Sequence, residues 1–208
     1  MRRESVALLV SFLVLSPAVG FAGEAAKTAT VKGTVTVGGK PTAAAVISIE
    51  GLPSDSGKAQ LAQLKSKKAT LDQKNMKFIP RVLAVVVGAT VEFPNHDTSW
   101  HNVFSTSDAK KFALGLYAPG KSRSAAFDKA GVVKILCNVH PSMEAYVVVK
   151  SHPYFAAADA QGRYTLKDIP LGKTSVQVWH PDFGNQVVPV DLVHEGEVLA
   201  VDFDLKKK

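Results

Sequence analysis

Cysteine is nearly missing from this chain: Cys137 is the only one in 208 residues. A single thiol cannot close an internal disulfide, so a disulfide-stapled scaffold is excluded and stability has to come from an apolar core. Long hydrophobic runs are scarce too. The most apolar stretch, VALLVSFLVLSPAV near the N-terminus, is shorter than the roughly 20 residues a membrane-spanning helix needs. Helical periodicity is confined to SGKAQLAQLKSKK, Ser56 to Lys68, with Ser54, Asp55 or Ser56 available as an N-cap. No low-complexity segment or long linker interrupts the chain, and no nucleophile triad or carboxylate pair stands at a recognisable catalytic spacing. These absences argue against a membrane-embedded or mainly helical protein, and the expectation is that the chain is not an enzyme.

What is present begins with Arg2 and Arg3, the apolar run, and then Gly20-Phe21-Ala22. That order reads as a signal peptide over residues 1–22, cleaved on export. No cysteine near the cleavage site could carry a lipid, so the mature chain is expected to be periplasmic or secreted, without a stable membrane anchor. The formal net charge of +7 gathers in KSKKATLDQKNMK and in the terminal Lys206, Lys207 and Lys208. An exported chain rarely meets nucleic acid, so none is expected as a partner, and the cluster reads as a solvated face. At most it favours an acidic protein or an anionic surface.

Nearly every other segment alternates with period two: TATVKGTVTV, AAVISIE, VLAVVVGATVEF, GVVKILCNV, EAYVVVK, GRYTLKDI, TSVQVWH and LAVDFDL. Turn residues such as Gly38-Gly39, Ala118-Pro119-Gly120 and Ala160-Gln161-Gly162 punctuate them. The pattern predicts an all-β protein of antiparallel sandwiches with one short helix.

In an oxidising compartment a lone thiol has to be buried and inert, bonded to another chain, or capped by a metal. Cys137 ends the strand GVVKILCNV, and His140 and Met143 follow in a short loop at C-x2-H-x2-M spacing. In VEFPNHDTSWHNVFS a polar loop precedes His101, which begins another hydrophobic stretch. A sandwich gathers strand ends at one pole, so His101 can meet the Cys137 loop. Thiolate and thioether are soft and imidazole is borderline, a set suited to one copper cycling between Cu(I) and Cu(II). Zinc gains little from a thioether, and one cysteine cannot build a centre bridged by two thiolates.

Residues 69–150 resemble a cupredoxin of the plastocyanin and amicyanin kind. The resemblance is carried by FIPRVLAVVVGATVEFPNHD, by His101-Asn102-Val103, and by Cys137-Asn138-Val139-His140-Pro141-Ser142-Met143. The two residues between histidine and methionine are similar to the short loop of amicyanin rather than to the longer one of plastocyanin. The resemblance implies a Greek-key sandwich with His101, Cys137, His140 and Met143 as copper ligands. It also implies that Asn102 hydrogen-bonds the two ligand loops together near the thiolate. His96, five residues upstream, competes with His101, but the family ligand stands directly before Asn-Val, so His96 is left in the loop or behind the ligands. His152, His180 and His194 follow no ligand spacing and read as structural.

Residues 28–52 and 151–206 are similar to two halves of a carboxypeptidase regulatory-like sandwich of the transthyretin-like type. The resemblance rests on TVKGTVTVGGKPTAAAVISIEG and on FAAADAQGRYTLKDIPLGKTSVQVWHPDFGNQVVPVDL. It implies one discontinuous module, with residues 53–68 as a helical connector and the cupredoxin inserted. The implied role is structural or adhesive, with carbohydrate as a lesser alternative partner. For the copper domain two functions follow: a carrier of single electrons to a redox partner protein, or a module that stores, delivers or senses copper. In the first, His140 with Pro141 would be the exit for the electron. FALGLYAPG, including Leu116, is expected as an apolar loop that either folds over the core or forms part of the docking surface.

Overall fold

The computed structural model describes residues 27–53 and 56–206. The leader expected over residues 1–22 and the N-cap candidates Ser54 and Asp55 lie outside them. The described residues are built almost wholly of strands, with one helix among them, Lys58–Ser66. That helix starts at Gly57, which takes a left-handed φ of 72° and offers no side-chain cap. It is shorter than the sequence pattern suggested, and Leu61 and Leu64 rest against the neighbouring core. Among the described residues no helix is long and apolar enough to cross a membrane.

Two apolar cores form. In strand Thr28–Val37 the period-two set Ala29, Val31, Gly33 and Val35 faces inward, and Val31 and Val35 are completely buried. Gly33 keeps this set in place because a Cβ there would stand 1.9 Å from the Val201 carbonyl oxygen. The strand pairs antiparallel with Arg163–Pro170 and, on its other side, parallel with Val198–Ala200 and Phe203–Leu205. Opposite it lies the sheet Phe155–Ala157, Val46–Glu50, Gly172–His180 and Gly184–Leu192 in that order. Ile47, Ile49, Val176, Val178, Leu166 and Ile169 fill the space between the sheets.

The second core lies between a five-stranded and a three-stranded sheet. The larger runs Lys110–Tyr117, His101–Ser107, Gly131–Leu136, Glu144–Lys150 and Val82–Val86, the last pair parallel. The smaller runs Ser122–Phe127, Ala89–Pro94 and Ala69–Thr70. Gly88, at φ 85°, breaks the apolar run VLAVVVGATVEF into two strands that belong to opposite sheets. Phe93, Phe127, Val91, Val103, Val133, Ile135 and Val147 meet in the middle with no exposed surface. This burial is what holds the strand ends of the pole in a fixed arrangement.

The segment FALGLYAPG differs from expectation. It is no loop: residues 112–117 belong to strand Lys110–Tyr117, hairpinned to His101–Ser107. Phe112 and Leu114 rest against the core while Leu116 stays exposed. The pairing slips between Ala113 and Leu116, around Gly115 at φ 71°, and this bulge obscures the alternation.

The two sandwiches touch along Val46, Val82 and Val148, with Tyr146 edge-to-face on Trp179 at 5.5 Å. Arg81 spans the contact. Its guanidinium donates to both oxygens of Asp182 at 2.7 and 2.9 Å and to Glu144 at 3.1 Å.

Candidate metal centre

Three strand ends and one loop converge at a pole of the second core. His101 is the first residue of its strand, Cys137 follows the last residue of Gly131–Leu136, and Met143 precedes Glu144–Lys150. The connecting loop is closed by a hydrogen bond from the Met143 amide to the His140 carbonyl at 2.9 Å. The donor atoms of His101, Cys137 and His140 lie within 4.8 Å of one another, a group that could hold one ion. His101 Nδ1 stands 3.9 Å from Cys137 Sγ and 3.1 Å from His140 Nδ1. His101, Cys137 and Met143 are buried, whereas His140 is partly exposed. The structure thus brings the three nitrogen and sulfur donors together and places Met143 in the same buried cluster as Cys137.

The ring of His101 is held from behind. Its Nε2 faces Asp97 Oδ2 at 3.1 Å, and that oxygen also accepts the Met76 amide N–H at 2.6 Å. The Met76 amide holds the Asp97 carboxyl below the ordinary carboxylate range. The Thr98 amide and His101 add to this, against the opposing effect of burial. An ionised Asp97 accepts from Nε2–H, so the lone pair of Nδ1 points at Cys137 and His140, the tautomer a metal requires. The loop carrying Asp97 is itself pinned: Asn95, fully buried, donates to the Ser99 and Tyr117 carbonyls and accepts the Asp97 amide. Beneath it, Gln73 donates to the Tyr117 hydroxyl, which donates to the Phe93 carbonyl at 2.9 Å.

Asp97 and Asn95 were not singled out from sequence. The legible signal was an acidic residue four positions before a ligand histidine in a loop otherwise short of charge. His96 turns elsewhere. It is exposed, and its Nδ1 pairs with Asp72 at 3.0 Å, so the carboxylate behind His101, rather than His96, occupies the outer position. Asn102 makes no hydrogen bond to the Cys137 loop here. Its side-chain oxygen is buried without a partner among the described residues. Leu116 pairs with Asn102 in the hairpin and is 52% exposed; Trp100, next to His101 in sequence, is 55% exposed, and Val139, next to His140 in sequence, 43%.

Residues 65–150 match the family described as copper binding proteins of the plastocyanin/azurin kind. With the donor set, this supports a cupredoxin domain over these residues and one copper ion as its cofactor. No curated protein matches the chain. Among solved structures, a purple cupredoxin from Nitrosopumilus maritimus is 25% identical, covering 40% of this chain and 100% of its own, with a TM-score of 0.37. A reduced amicyanin variant is 28% identical over 50% of this chain and 98% of its own, with a TM-score of 0.38. A copper-containing nitrite reductase from Thermus scotoductus SA-01 is 25% identical over 40% of this chain but only 22% of its own, with a TM-score of 0.39.

Replacing Asp97 with Asn is expected to leave the fold intact and weaken copper binding about 10- to 100-fold, the usual cost of losing a partner behind a metal-ligating histidine. Competition with a Cu(I) chelator measures it, and an unchanged affinity would remove Asp97 from the site.

Proposed function

We propose that this chain is an exported type 1 copper protein that carries single electrons between redox partners, with His101, Cys137, His140 and Met143 as the ligands. The observation that carries the proposal is the convergence of one thiol and two imidazole donors within 4.8 Å, with the His101 tautomer set by Asp97. Copper bound there supplies a one-electron cycle between Cu(I) and Cu(II). The chain's task is to change little during that cycle. His101 is fixed by Asp97, Cys137 by the buried end of its strand, and Met143 by core packing, so the ligand geometry is imposed by the fold and little has to reorganise.

The same reading gives the electron an exit. His140 is the partly exposed ligand, and Trp100, Leu116, Val139 and Pro141 are exposed around the pole. Arg123 lies over the Tyr117 ring at 5.2 Å and donates to the Leu116 carbonyl, placing a cation beside that apolar surface. A small apolar face with charge at its rim suits brief docking, with the rim mainly affecting the association rate. Leu116→Asp or Pro141→Asp is therefore expected to slow electron exchange with a partner about tenfold or more while leaving the copper spectrum unchanged. Rates unchanged from the parent in both variants would move the exit elsewhere.

The optical and EPR spectra of the copper-loaded mature protein test the whole reading. An intense visible band from thiolate-to-copper charge transfer is expected, and stoichiometric zinc with no band after copper loading would defeat it. Met143→Gln should retain copper and lower the reduction potential, because a harder oxygen donor in place of the thioether would favour Cu(II). A potential equal to that of the parent would remove Met143 from the ligand set. Ready loss of Cu(I) to a chelator, with slow electron exchange, would favour storage or delivery instead. The second sandwich, formed from the segments on either side of the copper domain, is read as a structural module of the carboxypeptidase regulatory-like kind.

A further inference from the structure

The hairpin that carries three of the candidate donors closes on a charged residue. Leu136 pairs with Glu144 as the last rung before the turn through Cys137, His140 and Met143, so Glu144 stands directly after Met143 at the base of that loop. The outer side of the loop is not packed. A cavity of about 600 Å³ lies there, lined among others by Phe78, Arg81, Pro141, Met143 and Glu144, and Pro141 and Ser142 are exposed. Core packing therefore fixes only the buried side of Met143, and the base of the loop has to be held by polar contacts.

Both oxygens of Glu144 are taken. Oε1 accepts from Arg81 at 3.1 Å and Oε2 from Lys134 at 2.9 Å. These two cations, Lys134 foremost, keep the Glu144 carboxyl below the ordinary carboxylate range against the opposing effect of burial. Arg81 is fixed in its turn. Its carbonyl accepts the Tyr146 amide N–H at 2.9 Å, and its guanidinium forks onto both oxygens of Asp182, in the turn that follows strand Gly172–His180 of the second sandwich. Asp182, ahead of Glu144, raises the Arg81 guanidinium above its ordinary value. A two-pronged fork within a network is the case in which a partly exposed ion pair fixes geometry. One connected path thus runs from Asp182 through Arg81 and Glu144 to Met143.

We propose that Arg81 is a positioning residue of the copper site, through which the second sandwich sets the reduction potential. This rests on the copper reading above. Arg81 holds Glu144, and Glu144 fixes where Met143 stands relative to the other donors. A displaced thioether changes how strongly the site favours one oxidation state over the other.

The potential of the copper-loaded full chain is measured for the parent, Arg81→Lys, Arg81→Met and Asp182→Ala. Arg81→Lys keeps the charge and loses the fork. All three variants are expected to keep the visible band and to move the ratio of Cu(I) to Cu(II) at a fixed applied potential by about twofold or more, which is about 18 mV for one electron. Combining Arg81→Lys with Asp182→Ala should move it no further than either alone, because both break one path. In the apo-protein the Met143 amide, which donates to the His140 carbonyl, should exchange with solvent deuterium about threefold or more faster in each variant. A parental potential in Arg81→Lys would mean that only the charge of Arg81 matters, and a parental potential in Asp182→Ala would take the second sandwich out of the path. Either result overturns the proposal, and so does a parental exchange rate of the Met143 amide in all three variants. A parent without the band overturns the copper reading and this inference with it, whereas a coloured parent with unmoved variants overturns this inference alone.

Discussion

Cys137→Ser is expected to abolish the visible absorption of the copper-loaded protein altogether and to weaken copper binding by orders of magnitude, with little effect on folding. Cys137 is the one thiol in the chain and lies buried at the end of strand Gly131–Leu136. Its sulfur faces His101 Nδ1 at 3.9 Å. A thiolate shares electron density with copper, and that covalency produces both the colour and the affinity of a His2Cys site. A serine hydroxyl is harder, is not deprotonated at neutral pH, and offers neither. The side chain is nearly isosteric, so the fold should be kept, at a cost of about 1–3 kcal/mol for burying a hydroxyl in place of the thiol. Titration with Cu(II) followed by visible spectroscopy, with a thermal melt of the apo-protein alongside, checks both halves. A variant that keeps an intense band would place the colour-bearing ligand elsewhere. A variant that is simply unfolded would show that Cys137 acts through packing.

The loop that carries the candidate donors could be read from sequence because its information is local. Cys137, His140 and Met143 lie within seven residues, the lone thiol demanded an explanation, and the adjoining strands alternate cleanly. His101 needed only the additional step that sandwich strands end at common poles. The support behind His101 was not legible in the same way. Asp97 is oriented by the Met76 amide, presented by a turn in which Asn75 and Met76 both have positive φ, 55° and 53°. Nothing in the spacing of Asp97 and His101 reveals that a hairpin some 20 residues upstream closes over them. FALGLYAPG was misread for a different reason. The bulge between Ala113 and Leu116 shifts the register, so a strand written across it does not keep one period.

Deleting residues 1–65 is expected to unfold the second sandwich while leaving a coloured copper domain. The deletion removes Thr28–Val37, which lies between Arg163–Pro170 and Val198–Ala200, and Val46–Glu50, which lies between Phe155–Ala157 and Gly172–His180. Each is an interior strand, so both sheets lose pairing on two sides. Val31, Val35, Ile47 and Ile49, all completely buried, leave with them. At about 1.5–3 kcal/mol for each buried aliphatic side chain, that is about 6–12 kcal/mol, comparable with the whole stability of an ordinary domain. The copper domain keeps both of its sheets and its ligands, all contributed from beyond residue 65. Its insertion is also topologically benign. The chain leaves the second sandwich at Glu50 and returns at Phe155, where the Ile49 amide already bonds the Tyr154 carbonyl at 3.0 Å, so the two ends are neighbours. Limited proteolysis of the copper-loaded deletion variant should trim the segment from about residue 155 onward rapidly, while the visible band survives. Resistance of that segment to proteolysis would show that residues 151–206 fold without the N-terminal strands. Loss of the band would show that the copper site depends on the second sandwich, through contacts such as Arg81 with Asp182 and Glu144 next to Met143.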